Sequence, residues 1–155
     1  MKITDALLGE HGIIYVLFSY TRDTVNNSND LQEISSVMSV LERVLMAHAR
    51  VEDDLLFPEL EPHLGQTGPL AVMRMEHQEL EELLGKAKNE KDINSLKSIV
   101  TQFLDLGCSH FRKEEMVLFG MAQQVLDEQK LLELGELWAD SRNVTIDGQG
   151  CLGAA

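Results

Sequence analysis

Apolar residues recur every three or four positions along most of the chain, the period of a helix with one buried face. Residues 3–26 place Ile3, Leu7, Ile14, Leu17, Phe18 and Val25 on such a face and then run into Asn26-Asn27-Ser28-Asn29-Asp30, a polar cluster that predicts the end of a first helix. Asp30 is an expected N-cap for a second helix from Leu31, which carries Ile34, Val37, Met38, Leu41, Leu45 and His48 in register. Pro58 and Pro62 fall near its end. Because the register continues through Leu60, Pro58 is expected to kink this helix rather than stop it. A loop is expected from His63 to Gly68.

A third helix is predicted from Pro69, a favoured first-turn residue, to Asn89. A fourth follows Asp92 and runs to Val125 through Leu96, Val100, Phe103, Leu104, Phe111 and Leu118. A short fifth, capped by Asp127, is expected over 128–140. No strand pattern of useful length is present. The fold class is therefore all-α: an up-down-up-down four-helix bundle with a short fifth helix and a flexible C-terminal tail. The bundle domain is expected over residues 1–142 and the tail over 143–155.

Composition narrows the functional classes. Leu dominates an apolar fraction of 44%, aromatics are 5%, and the net charge of the 155 residues is −13. A chain without surplus cations has little with which to neutralise phosphates, so no nucleic acid and no anionic membrane surface is expected as a partner. No secretory signal and no uncharged stretch of membrane-spanning length is read. Cys108 and Cys151 form neither a metal spacing nor a disulfide framework, so a reducing, cytoplasmic setting is expected.

The chemistry lies in the histidines. Four of the five, His11, His48, His77 and His110, fall one per long helix. Three of the five have Glu four residues on: His48/Glu52, His77/Glu81 and His110/Glu114. With 16 Glu in 155 residues, chance gives roughly half a pair among five histidines, so the pattern calls for a cause. Positions i and i+4 share a helical face, so each pair can aim an imidazole and a carboxylate at one point in a core. A lone buried histidine is usually structural. Here, however, His48-Ala-Arg-Val-Glu-Asp-Asp-Leu-Leu-Phe57 repeats as His110-Phe-Arg-Lys-Glu-Glu-Met-Val-Leu-Phe119, with five of ten positions identical. Glu10-His11 likewise parallels Glu76-His77. Two copies of one hairpin facing each other suit two metals better than one.

Ligand arithmetic agrees. Two six-coordinate irons need about twelve donor positions. Four imidazoles, two bridging carboxylates (Glu52 and Glu114) and one terminal carboxylate (Glu81) leave about three, enough for an oxo or hydroxo bridge and one open position. Cysteine-free, carboxylate-rich ligation argues against structural zinc. His63, past Pro62, is read as an exposed histidine. Tyr15 is either a core residue or a hydrogen-bond donor near the metals, and Glu115 is a minor substitute for Glu114.

Together these motifs, spanning residues of about 10–120, resemble the hemerythrin family in its His-His-Glu cation-binding branch. The resemblance implies a non-haem di-iron site that binds or reacts with O2 and, in some relatives, NO or peroxide. One departure bears on function. Oxygen-carrying hemerythrins have a second histidine one turn after the first on the third helix, where this chain has Glu81; the equivalent place after His11 is Tyr15. A carboxylate there would favour the ferric state and disfavour reversible O2 carriage. The first expectation is thus a protein that binds or senses O2 or a related small ligand. The alternatives are a di-iron enzyme acting on peroxide or NO with Tyr15 or Glu81 as proton source, an iron-centre repair protein, and a metal-state regulator read by an unknown protein partner.

Overall fold

The computed structural model of the chain describes residues 1–145; the expected flexible tail falls, from residue 146 onward, outside the described residues. Five helical rods follow one another. The first is α1 (Ile3–Asn27). The second comprises α2 (Leu31–Val51), a π-helical turn (Glu52–Leu56) and α3 (Phe57–Leu64). The third is α4 (Pro69–Asn89). The fourth comprises α5 (Ile93–Lys113), a second π-helical turn (Glu114–Leu118) and α6 (Phe119–Val125), and the fifth is α7 (Glu128–Arg142). Among the described residues there is no strand.

The starts of three rods have the caps expected of their sequences. The Asp30 side chain accepts from Gln32 N, Asp92 from Asn94 N and Ser95 N, and Asp127 from Lys130 N. Each such bond satisfies a donor that the first turn leaves free and contributes about 1 kcal/mol. α7 closes on Asn143, whose left-handed φ of 52° lets the chain turn away.

The helix after Pro58 does continue, as its register suggests. The chain stays helical to Leu64, so His63, expected in a loop, lies exposed in the last turn of α3. The unforeseen feature is the pair of π turns. Each is closed by an i→i−5 bond, from Phe57 N to Glu52 O and from Phe119 N to Glu114 O. They occupy equivalent places in the internal repeat. Pro58 is not their common cause, because the second copy has Gly120 there. What the two turns share is a glutamate at their first residue and a phenylalanine just beyond their last. π turns inside α-helices are frequent at functional sites.

α1 packs on α2, α4 on α5, α1 on α5 and α2 on α4, with α7 laid against α1. Two apolar clusters fill the interior. One contains Ile14, Phe18, Leu45, Leu80, Phe103 and Phe111; the other contains Leu7, Val51, Phe57, Met73, Leu118 and Leu134. Each rod of the first four passes from one cluster to the other, and at each crossing stands a histidine: His11 between Leu7 and Ile14, His48 between Leu45 and Val51, His77 between Met73 and Leu80, and His110 between Phe103 and Leu118. Gly135 lets α7 approach the chain's start, since a Cβ there would collide with the Met1 carbonyl oxygen.

Candidate metal centre

The crossing layer is polar and buried. His11, His48, Glu52, His110 and Glu114 are at most 1% exposed, and His77 is 8% exposed. Side chains of these types do not settle in such a place without partners. Two sets of four donors meet here: His11, His48, Glu52 and Glu114, and His77, His110, Glu52 and Glu114, with the donor atoms of each set within 4.8 Å of one another. Glu52 and Glu114 belong to both. Glu52 Oε2 lies 3.5 Å from His48 Nε2 and 3.4 Å from His77 Nε2. Glu114 spans the other diagonal, 3.3 Å from His11 Nε2 through Oε2 and 2.9 Å from His110 Nε2 through Oε1. None of the four oxygens of Glu52 and Glu114 has an aligned hydrogen-bond donor.

The histidine nitrogens carry the same message. Each Nδ1 meets an outer carboxylate: His48 meets Glu10 at 2.8 Å, His110 meets Glu76 at 3.0 Å, His11 meets Glu115 at 2.9 Å and His77 meets Asp53 at 3.3 Å. An ionised carboxylate only accepts, so Nδ1 holds the proton and, in the neutral ring, Nε2 presents a lone pair inward. Those Nε2 atoms face each other in pairs, His11 to His48 at 3.2 Å and His77 to His110 at 3.1 Å. Two lone pairs at that distance, beside carboxylate oxygens without donors, fit a cation between them. Imidazole and carboxylate donors of this mix suit first-row transition metals.

The outer shell is itself held. Glu10 accepts from Trp138 Nε1 at 2.8 Å and Arg142 Nε at 2.6 Å, whereas Glu76 takes Lys113 Nζ. Tyr15 donates to Glu115 at 2.9 Å. Phe57 stacks on His77 and Phe119 on His11, again from equivalent places in the repeat, while Phe111 lies 4.3 Å from the His11 ring. These rings fix imidazole orientation and exclude water.

Electrostatics follow from burial set against charge. Burial opposes the charge of Glu10, but His48, Arg142 and Trp138 outweigh it and hold the carboxyl down at about 2. Burial opposes a proton on His77, yet Asp53 and Glu52 pull it up to about 10. His48 and His110 are shifted up against burial, chiefly by Glu52 and Glu114 respectively. Burial and the facing Glu114 push Glu52 up, while Glu114 is held down, against burial, by His11 and His110. Burial and Glu115 raise Tyr15 and so keep its proton on.

A cavity of about 30 Å3 opens onto the layer between α2, α4 and α5. Its walls include Leu45, Met46, Leu80, Leu84 and Phe103, it ends at His48, His77 and His110, and Glu81 lines it. That volume holds one or two water-sized molecules.

The structure therefore brings together six of the seven expected residues: His11, His48, Glu52, His77, His110 and Glu114. It does not bring Glu81 into either donor set; Glu81 is exposed on α4 beside the cavity. Glu115 stands outside both sets, as the partner of His11. The sequence reading missed the outer roles of Asp53 and Glu115, although an acid after the Glu of both repeats was a signal for them. Trp138 and Arg142 had no such signal.

The hemerythrin HHE cation binding domain matches residues 2–122, and the chain belongs to that family. A relative, a DNA nickase of Nostoc sp. (strain PCC 7120), is 28% identical over 140 residues, which cover 90% of this chain and 37% of the nickase. The chain thus spans little more than a third of that relative's length. No solved structure matches the chain significantly. Among the described residues, no helix is long and apolar enough to cross a membrane.

Proposed function

We propose that this chain is a di-iron domain that binds or senses a small ligand, O2 or NO, or peroxide, in the bundle core. The observation that carries the reading is the sharing of Glu52 and Glu114 between two donor sets. His11 and His48 would hold one iron and His77 and His110 the other, with both glutamates reaching both ions. Bound iron would supply a redox-active Lewis acid with a position open to a small ligand. The chain's own residues do the rest. Leu80, Leu84 and Phe103 keep the approach apolar, the outer carboxylates fix the Nδ1 tautomer, and Tyr15 Oη keeps a proton next to Glu115 Oε1, where a reaction with peroxide or NO would draw on it. The up-down-up-down course of the rods belongs to the same reading, since three- and four-residue connections suit antiparallel neighbours. So does a reducing, cytoplasmic setting, in keeping with the free thiol of Cys108.

The test is elemental analysis of protein purified without oxygen, followed by O2 and NO titrations read by absorption. About two irons per chain and a ligand-dependent spectrum are expected. One metal per chain, or mostly zinc, sinks the proposal.

The nickase relative raises a second reading, cleavage of a DNA strand. Two observations weigh against it for this domain: the net charge of −13 and a cavity of about 30 Å3, too small for a nucleotide to reach the buried donors. In the reading preferred here DNA contacts would need chain beyond this domain. Incubation of the iron-loaded protein with supercoiled plasmid is expected to leave it closed; accumulation of the nicked circle would reverse the preference.

A further inference from the structure

The two halves of the centre are alike in their inner donors and unlike in what holds the outer carboxylates. Glu76, behind His110, is held by Lys113 from the same helix as that histidine. Glu10, behind His48, is held by α7, which begins at Glu128, beyond the last residue of the family match. Three donors converge on the Glu10 carboxylate from there: Trp138 Nε1 on Oε1 at 2.8 Å, Arg142 Nε on Oε1 at 2.6 Å and Arg142 Nη2 on Oε2 at 3.2 Å. Arg142 Nη2 also reaches Ala47 O at 2.8 Å, one residue before His48. Packing alone does not require this. Leu131 and Leu134 already seat α7 in the apolar cluster of Leu7 and Phe57, and Ala139 is buried too, whereas Trp138 and Arg142 are only partly buried and converge on Glu10.

We infer that α7 is a positioning element for one of the two metal positions: Trp138 and Arg142 orient Glu10, Glu10 orients His48, and the cation held by His11 and His48 is thereby bound with an affinity that depends on the docking of α7. The cation held by His77 and His110 answers to Lys113 instead. The two positions are therefore unequal, and a change that lifts α7 empties one before the other. This rests on the two-metal reading above. Trp138 and Arg142 touch no metal; they act through Glu10.

The test is stepwise titration of the full chain with Co(II), read by its ligand-field absorption and by ions bound per chain. In R142Q and W138F, one of two binding steps should weaken about tenfold or more, the usual effect of losing such outer partners, with the other unchanged. In an H110A background, which leaves only the position of His11 and His48 intact, R142Q should keep its effect. In an H48A background it should have none. Equal weakening of both steps, or of neither, overturns the inference. Should R142Q fail to fold, W138F, which keeps an aromatic side chain and removes the indole N–H, carries the same comparison. A wild-type chain that takes up fewer than two ions overturns the two-metal reading, and this inference with it.

Discussion

Glu10 accepts its hydrogen bond from His48, 2.8 Å away on the next helix, and not from His11, its neighbour in the chain. Glu76 does the same with His110 at 3.0 Å. The neighbouring histidines, His11 and His77, are held by Glu115 and Asp53 from the opposite hairpin. Every histidine of the layer therefore depends on an acid supplied by another rod.

Shared and unshared donors should lose metal differently. E52A removes a donor from both sets, and on the two-ion proposal metal content should fall to well below one ion per chain. H77A removes a donor from one set, and content should fall to about one. Elemental analysis of the two variants checks this; identical losses would mean that Glu52 is not shared.

Chelation should destabilise the fold strongly. Without cations Glu52 and Glu114 are two carboxylates buried against each other. An ion present at a thousand times its dissociation constant contributes about 4 kcal/mol, which for a domain of this size is roughly 8–16 °C in melting temperature. Calorimetry before and after chelation reads the difference; a shift under about 2 °C would show that the layer is stable without cations.

Metal uptake should strengthen as pH rises. In the metal-free chain Asp53 and Glu52, against burial, pull His77 up to about 10, so at neutral pH this imidazole is protonated and a cation must displace that proton. Each displaced proton makes apparent affinity rise about tenfold per pH unit below that value. The stability of the metal-free chain has the opposite sign. His77 contributes most below the unfolded pKa of about 6.5, and its contribution fades as pH climbs towards 10. Titrations between pH 6 and 8 check the first claim. Flat affinity contradicts it.

Glu81 separates ligation from access. It is exposed and lines the cavity that ends at His48, His77 and His110. E81Q should therefore retain two ions per chain while changing the rate at which NO or O2 reaches them, measured by stopped flow. Loss of an ion would return Glu81 to the ligand set that its spacing from His77 suggests.

Much of the helical framework could be read from the sequence because it depends on local rules. The 3.6-residue period, the aspartate caps and Pro69 set helix starts within a residue or so. The inner donors were legible because the repeat displays them twice. What holds the outer acids was not legible, because those partners are remote in sequence: Trp138 lies 128 residues from Glu10. The π turns escaped for another reason. A period of apolar residues survives one wide turn, so nothing in the spacing of Leu55, Leu56 and Leu60 marks it. Glu81 shares a helical face with His77 but stands exposed and outside both donor sets, because the buried side of α4 continues through Leu80 and Leu84.

The exchange of outer acids between hairpins bears on how this molecule assembles. A hairpin alone lacks the acid that orients one of its two imidazoles and one of the two shared carboxylates, so neither half is a finished cation trap. Cation retention then reports the docking of hairpins rather than helix content. A swollen state with its helices intact and its hairpins parted should release its ions before its circular dichroism changes. The same logic allows two separately made halves, divided at the Gly65–Gly68 connection, to find each other through the ions they jointly hold.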